Sequence, residues 1–267
     1  MNIENTSYKF KIVDVLETSL YTKQPPVGFL NPKLFKVTQV YDKYPMEDIK
    51  LNANLLVLSV VNLSLFLLNK DKELAFDNCI KGFAILDSFE VNDELRKEFI
   101  NDLSRLKGLD DESIISAINL ARFDIFSKTG YNLKYAKNIY RIVPKKETLI
   151  NIRRLIKRNL YLLNKVGDIK ECRTLFNKVT YTNIVKSGRL SFLANEDSLI
   201  QIKISKRVLN MKDTLFILIV YLLLNNEVKK DIKHLVIINP LTYKIYKLDI
   251  NDIDIDIINE VSKGIGL

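Results

Sequence analysis

Apolar residues follow two rhythms along this chain, a helical one in its first two thirds and an alternating one in its last third. From Leu51 to Asn69 they run almost without interruption, which predicts a buried helix. Lys72 to Phe89 and Asp93 to Leu106 carry more polar helical spacing, and Gly108 supplies a stop after the second. Asp110-Asp111-Glu112-Ser113 places acids where a helix N-terminus favours them, so a further helix should run to about Thr129, ahead of Gly130. After Pro144, Glu147 to Val166 is strongly amphipathic: Leu149, Ile152, Ile156 and Leu163 mark an apolar face, and Arg154, Arg158, Tyr161 and Lys165 a basic one.

The rhythm then shortens to period two. Leu175 to Lys206, broken at Lys186-Ser187-Gly188 and at Asn195-Glu196-Asp197, spells a meander of three short strands. Its last strand puts Gln201 and Lys203 on one face, with Ser191 near the start of the middle strand. Asp213 to Asn225 reads as an apolar helix. His234 to Pro240 and Thr242 to Ile250 read as a hairpin around Asn239-Pro240-Leu241-Thr242. The tail DINDIDIDIINE suits an edge strand or a helix start. At the other end, Tyr8 to Leu16 and Leu34 to Tyr41 are extended segments that should pair as a small sheet or arm, separated by Gln24-Pro25-Pro26-Val27-Gly28. The expected class is α/β in the α+β sense, with an N-terminal arm over 1–50, a helical region over 51–146 and a mixed-sheet core over 147–267 flanked by helices.

Ser187-Gly188, then Phe192-Leu193, a turn, and Leu199-Ile200-Gln201-Ile202-Lys203-Ile204-Ser205-Lys206 followed by an apolar helix resembles the core of the PD-(D/E)XK, or restriction-endonuclease-like, nucleases. It is similar in particular to uncharacterised bacterial and phage-type proteins whose equivalent stretch reads roughly SGxxDFLTxDTLxDFKxSK. GLDDESIISAINLARFDIFSKTGYN resembles the same group, so the likeness spans about residues 50 to 250. In that pattern one acid precedes Phe-Leu and another lies two before the Lys. Here Ser191 and Gln201 stand at those positions, and Lys203 remains alone of the catalytic trio.

The chemistry makes that loss decisive. Metal-dependent phosphodiester hydrolysis needs carboxylates, because Mg²⁺ is a hard cation that prefers oxygen ligands. Lys203 alone can neutralise a phosphate but cannot recruit the ion. The resemblance therefore implies a degenerate, non-catalytic nuclease fold with no metal and no cofactor. The reading left open beside it is an active, Mg-dependent endonuclease in which Glu196, Asp197 or Glu147 serves as a displaced ligand. More simply, Glu196 and Asp197 are a turn pair, and Glu147 charges a helix N-terminus.

Charge sharpens the choice of partner. The formal net charge is +9, and Lys134 to Arg189 holds 15 Lys or Arg against Glu147, Asp168 and Glu171, about +12, so the remainder is slightly acidic. Clustered cations gain affinity for nucleic acid by releasing counterions from phosphates. Arg153, Arg154, Lys157, Arg158 and Lys203 are the expected contacts, with Tyr135, Tyr140, Tyr161 and Tyr181 interleaved as stacking groups. The alternative is a protein-interaction role, as an inhibitor or decoy of a host defence protein or a subunit of a defence complex. Neither DNA nor RNA, nor an oligomeric state, is specified.

At 47% hydrophobic and 27% charged, the chain has globular composition. Cys79, Cys172 and the single His234 lack zinc spacing, and Asp252, Asp254 and Asp256 lack the glycine and bidentate glutamate of a calcium loop. No phosphate loop or nucleophile elbow is present. Leu215 to Leu224 is too short to span a bilayer, so no membrane role is expected. With no signal-peptide pattern, the expected compartment is the reducing cytoplasm, with free thiols. Abundant Ile, Asn and Lys fit AT-rich coding in a low-GC bacterium, its phage or a mobile element.

Overall fold

The computed structural model describes residues 10–11, 30–42, 46, 49–89, 93–129, 139–167, 173–174, 185–187, 192–194, 197–228 and 231–267. It is an α+β protein of two compact units. One comprises residues 1–40, 166–239 and 244–267, and the other comprises 41–165 with the short turn 240–243.

The sheet unit takes strands β1 (Phe10–Lys11), β2 (Lys36–Gln39), β3 (Arg173–Thr174), β4 (Val185–Ser187), β5 (Phe192–Ala194), β6 (Ser198–Ile202), β7 (His234–Asn239) and β8 (Lys244–Asp249). Six of them form a mixed sheet in the order β2-β8-β7-β6-β5-β3. β6 and β7 are parallel, and every other neighbouring pair in that sheet is antiparallel. The helical unit contains α1 (Ala53–Asn69), α2 (Lys72–Asp87), α3 (Asp93–Arg105), α4 (Asp111–Ala121), α5 (Asp124–Thr129) and α6 (Lys146–Val166); α7 (Met211–Val228) and α8 (Ile255–Gly264) belong to the sheet unit.

Caps written in the sequence set the helix starts. The side chain of Asn52 accepts from the backbone N–H of Asn54 at 3.0 Å, that of Asp71 from Leu74 at 3.0 Å and that of Asp110 from Ser113 at 2.8 Å. α1 ends where Lys70 turns left-handed and returns its N–H to the Phe66 carbonyl at 2.8 Å. The helix expected over 110–129 is two, parted at Arg122-Phe123. Phe123 stacks edge-on against Phe83 and Phe99, with centroids 5.5 and 5.1 Å away, and so serves the core rather than a continuous helix. Gly82 admits this junction, since a Cβ there would lie 1.9 Å from the Phe123 carbonyl oxygen.

In the sheet unit, β6, α7 and β7 form a strand-helix-strand crossover. α7 is apolar all round, and its Leu215, Leu218 and Ile219 join Leu199, Leu235, Ile237, Tyr246 and Leu248 from the sheet in one core, closed by Val261 of α8 and by Ile265, the residue that caps its C-terminus. Ile200, Ile202, Val236 and Ile238, on the opposite face of the same strands, are buried as well.

Three sequence expectations change here. Residues 36–39 form an edge strand on β8, and the described part of the earlier extended segment, Phe10–Lys11, pairs with β4. The meander keeps its β5–β6 hairpin, but β4 pairs outside the six-stranded sheet and β3 takes the place beside β5; residues 175–184 and 188–191 lie outside the described residues. α6, assigned by its position in the chain to the sheet core, groups with the helical unit, where Asn159 donates to the buried Ser64 Oγ of α1 at 2.9 Å. Of the two readings of the tail, the helix start is the one found: a 3-10 turn, Ile250–Asp252, is followed by α8, with Asp249 and Asp254 as the caps.

Candidate nucleic-acid interface

Lys203 follows β6 directly, its N–H still donating to the Ile238 carbonyl of β7 at 2.8 Å. Its ammonium forms an ion pair with the Asp213 carboxylate on α7. Asp213 is also the third residue of a reciprocal cap: its carboxylate accepts from the Asn210 N–H at 3.0 Å, and its own N–H donates to the Asn210 side chain at 3.1 Å. With side chains only 11% and 19% exposed, Lys203 and Asp213 are committed to each other. Two residues earlier, Gln201 faces the same side of the sheet, its Oε1 buried with no hydrogen-bond partner among the described residues. Tyr246 lies close by; burial and then the Asp213 charge push its phenol above its ordinary pKa.

Of the expected displaced ligands, Asp197 shares the sheet unit with Lys203 but does not approach it. Asp197 precedes β6, so the strand puts it about 20 Å from Lys203. There its backbone carbonyl accepts from the N–H groups of Lys233 and His234, at 2.7 and 3.0 Å, while its carboxylate accepts from the Ser198 hydroxyl at 2.8 Å. Glu147 is exposed in the first turn of α6, in the helical unit. Ser191 and Glu196 lie outside the described residues. Among the described residues, no group of three His, Cys, Asp or Glu side chains is placed to hold a metal ion.

The cations of α6 divide by side. Arg158 is buried: its guanidinium donates to Asp42 at 2.9 Å and to the Leu241 carbonyl at 3.4 Å, and lies 5.0 Å from the Tyr243 ring centroid. Arg153 pairs with Asp111 at 2.6 Å and donates to the Leu109 carbonyl at 3.2 Å. Arg154 is half-buried. Lys157 is exposed, as are Lys146 and Lys165, and these three lie along an outward face whose sole acid is Glu147. Tyr161 sits on that face between Lys157 and Lys165, with the Lys165 ammonium 5.6 Å from its ring.

Helical spacing therefore located the basic helix but did not separate Arg158, turned inward to Asp42, from Lys157 one residue before it. Asp213, the partner of Lys203, was not among the expected site residues. The spacing Asn210-x-x-Asp213, a capping box ahead of an apolar run, was the available signal. Comparison with protein-family models, with curated proteins and with solved structures finds no match.

Proposed function

We propose that this protein binds nucleic acid through the outward face of α6, on a nuclease-like but non-catalytic scaffold, in a cytoplasmic setting of phage, mobile-element or bacterial-defence type. The observation that carries this reading is the stripe of Lys146, Lys157 and Lys165, exposed over a helix that spans about 29 Å between the first and last of them. Such a row can track a phosphate backbone, and neutralising each phosphate releases counterions. Against a catalytic role, Lys203 is quenched by Asp213, and Gln201 offers an amide where a metal-binding acid would be needed. The described residues contain no helix long and apolar enough to cross a membrane.

The test is charge reversal. Changing Lys146, Lys157 and Lys165 together to Glu should abolish binding to both DNA and RNA probes while leaving the circular dichroism spectrum intact. Unchanged affinity would refute the interface. In parallel, the wild type should leave plasmid, single-stranded DNA and RNA uncut with Mg²⁺ or Mn²⁺. Metal-dependent cleavage that Lys203→Ala removes would overturn the non-catalytic part.

A further inference from the structure

The aromatic side chains gathered around Arg158 narrow the class of nucleic acid. Tyr161, 42% exposed, lies with its ring centroid 5.8 Å from that of Tyr243. Tyr243 holds a left-handed backbone, φ 58°, a conformation that disfavours a bulky side chain. The Arg158 guanidinium lies against its ring, 5.0 Å from the centroid. Asp42, which neutralises Arg158, follows Tyr41, whose side chain is 91% exposed. The buried Arg158 guanidinium thus packs against one ring of an aromatic pair whose other member, Tyr161, is exposed. Lys157 and Lys165 flank Tyr161 one turn to either side, about 12 Å apart along the axis.

We propose that Tyr161, supported by Tyr243, is a stacking platform for unpaired bases, so that the preferred ligand is single-stranded nucleic acid. In a duplex the faces of the bases are covered by their neighbours, and a tyrosine on a helix surface finds nothing to stack on; in a single strand each base offers a face, and cations beside the ring hold the flanking phosphates. Burial, followed by the nearby Tyr161 and Asp42, pushes the Tyr243 phenol above its ordinary pKa, consistent with a neutral, closely packed ring. This inference rests on the nucleic-acid reading above and adds to it the state of the strand.

The experiment compares the full chain's affinity for an oligothymidylate and for a duplex of the same nucleotide count by fluorescence anisotropy. The single strand should bind more tightly. Tyr161→Leu should weaken it by about 5-fold or more, the lower end of what one stacked base contributes, while leaving duplex affinity unchanged. Lys157→Gln with Lys165→Gln should weaken both probes and flatten the salt slope on the single strand by about 1.4. Because the chain contains no tryptophan, Tyr161→Trp adds a sole indole, whose fluorescence should be quenched by oligothymidylate, and this readout survives if the Leu variant folds poorly. Equal binding of the two probes, an equal loss on both with Tyr161→Leu, or an unquenched indole would overturn the stacking platform and leave the nucleic-acid reading standing. No binding of either probe would overturn both.

Discussion

Asp213→Ala removes two interactions at once, the ion pair to Lys203 and the acceptor for the Asn210 N–H, and leaves a mostly buried ammonium with the Val208 carbonyl 3.5 Å away. Loss of the cap contributes about 1 kcal/mol. Breaking a fully buried pair costs about 3–5 kcal/mol, but here both partners retain some solvent contact, so about 1–3 kcal/mol is the appropriate range. The variant should therefore lose about 2–4 kcal/mol. Lys203→Met keeps the apolar stem and leaves Asp213 its capping bond, so its cost should be about 1 kcal/mol. The assay is urea unfolding of the wild type, both single variants and the double variant. A structural pair predicts a coupling of about 1–2 kcal/mol, with the double variant more stable than the summed singles imply. Additivity within about 0.5 kcal/mol would mean that Lys203 is not held by Asp213 and would restore it as a free phosphate contact.

Other perturbations separate structural from functional residues. Gly82→Ala should lose about 2 kcal/mol or more in urea unfolding, although alanine gains about 1 kcal/mol in helix propensity, because the Phe123 carbonyl it meets at 1.9 Å is backbone and cannot rotate away; a stabilised variant would refute that packing. Arg158→Ala should cost about 3 kcal/mol by removing a buried, hydrogen-bonded ion pair to Asp42, whereas exposed Lys157→Ala should stay within about 0.5 kcal/mol of wild type in the same assay. For Asp110, burial acts to raise the carboxyl pKa, but hydrogen bonds from the Ser113 N–H and hydroxyl outweigh it and hold the value below the ordinary one. Its stabilisation is therefore present above the unfolded pKa of about 3.9 and lost as pH falls through the folded value, so the roughly 1 kcal/mol deficit of Asp110→Ala at neutral pH should vanish in acid, as thermal melts across pH would record.

Much of the fold was legible because local chemistry and pattern agree. Asn52, Asp71 and Asp110 announce helices that the apolar spacing continues, and the apolar run of α7 reads as a helix buried against the sheet. What escaped was coverage. A period of 3.6 assigns Arg154, Arg158, Tyr161 and Lys165 to one face, yet the sequence contains nothing to say that Asp42 and the 240–243 turn, more than 80 residues away in either direction, close over Arg158. Strand partners were hidden for the same reason: Lys36–Gln39 alternates like any strand, and its choice of β8 over a nearer segment is a long-range pairing. The Lys203–Asp213 pair spans only ten residues but joins a strand end to a helix cap, a contact that neither element's own periodicity encodes.

The central claim is an electrostatic interface on α6, and the salt dependence of binding tests it most directly. Affinity for a fluorescent oligonucleotide, measured across monovalent salt, should fall with a log–log slope of about −2 to −3, the share expected of three lysine–phosphate contacts, and the Lys146, Lys157 and Lys165 triple Glu variant should lose that slope with the binding. A wild type whose binding is insensitive to salt, or a triple variant that keeps the wild-type slope, would contradict the account.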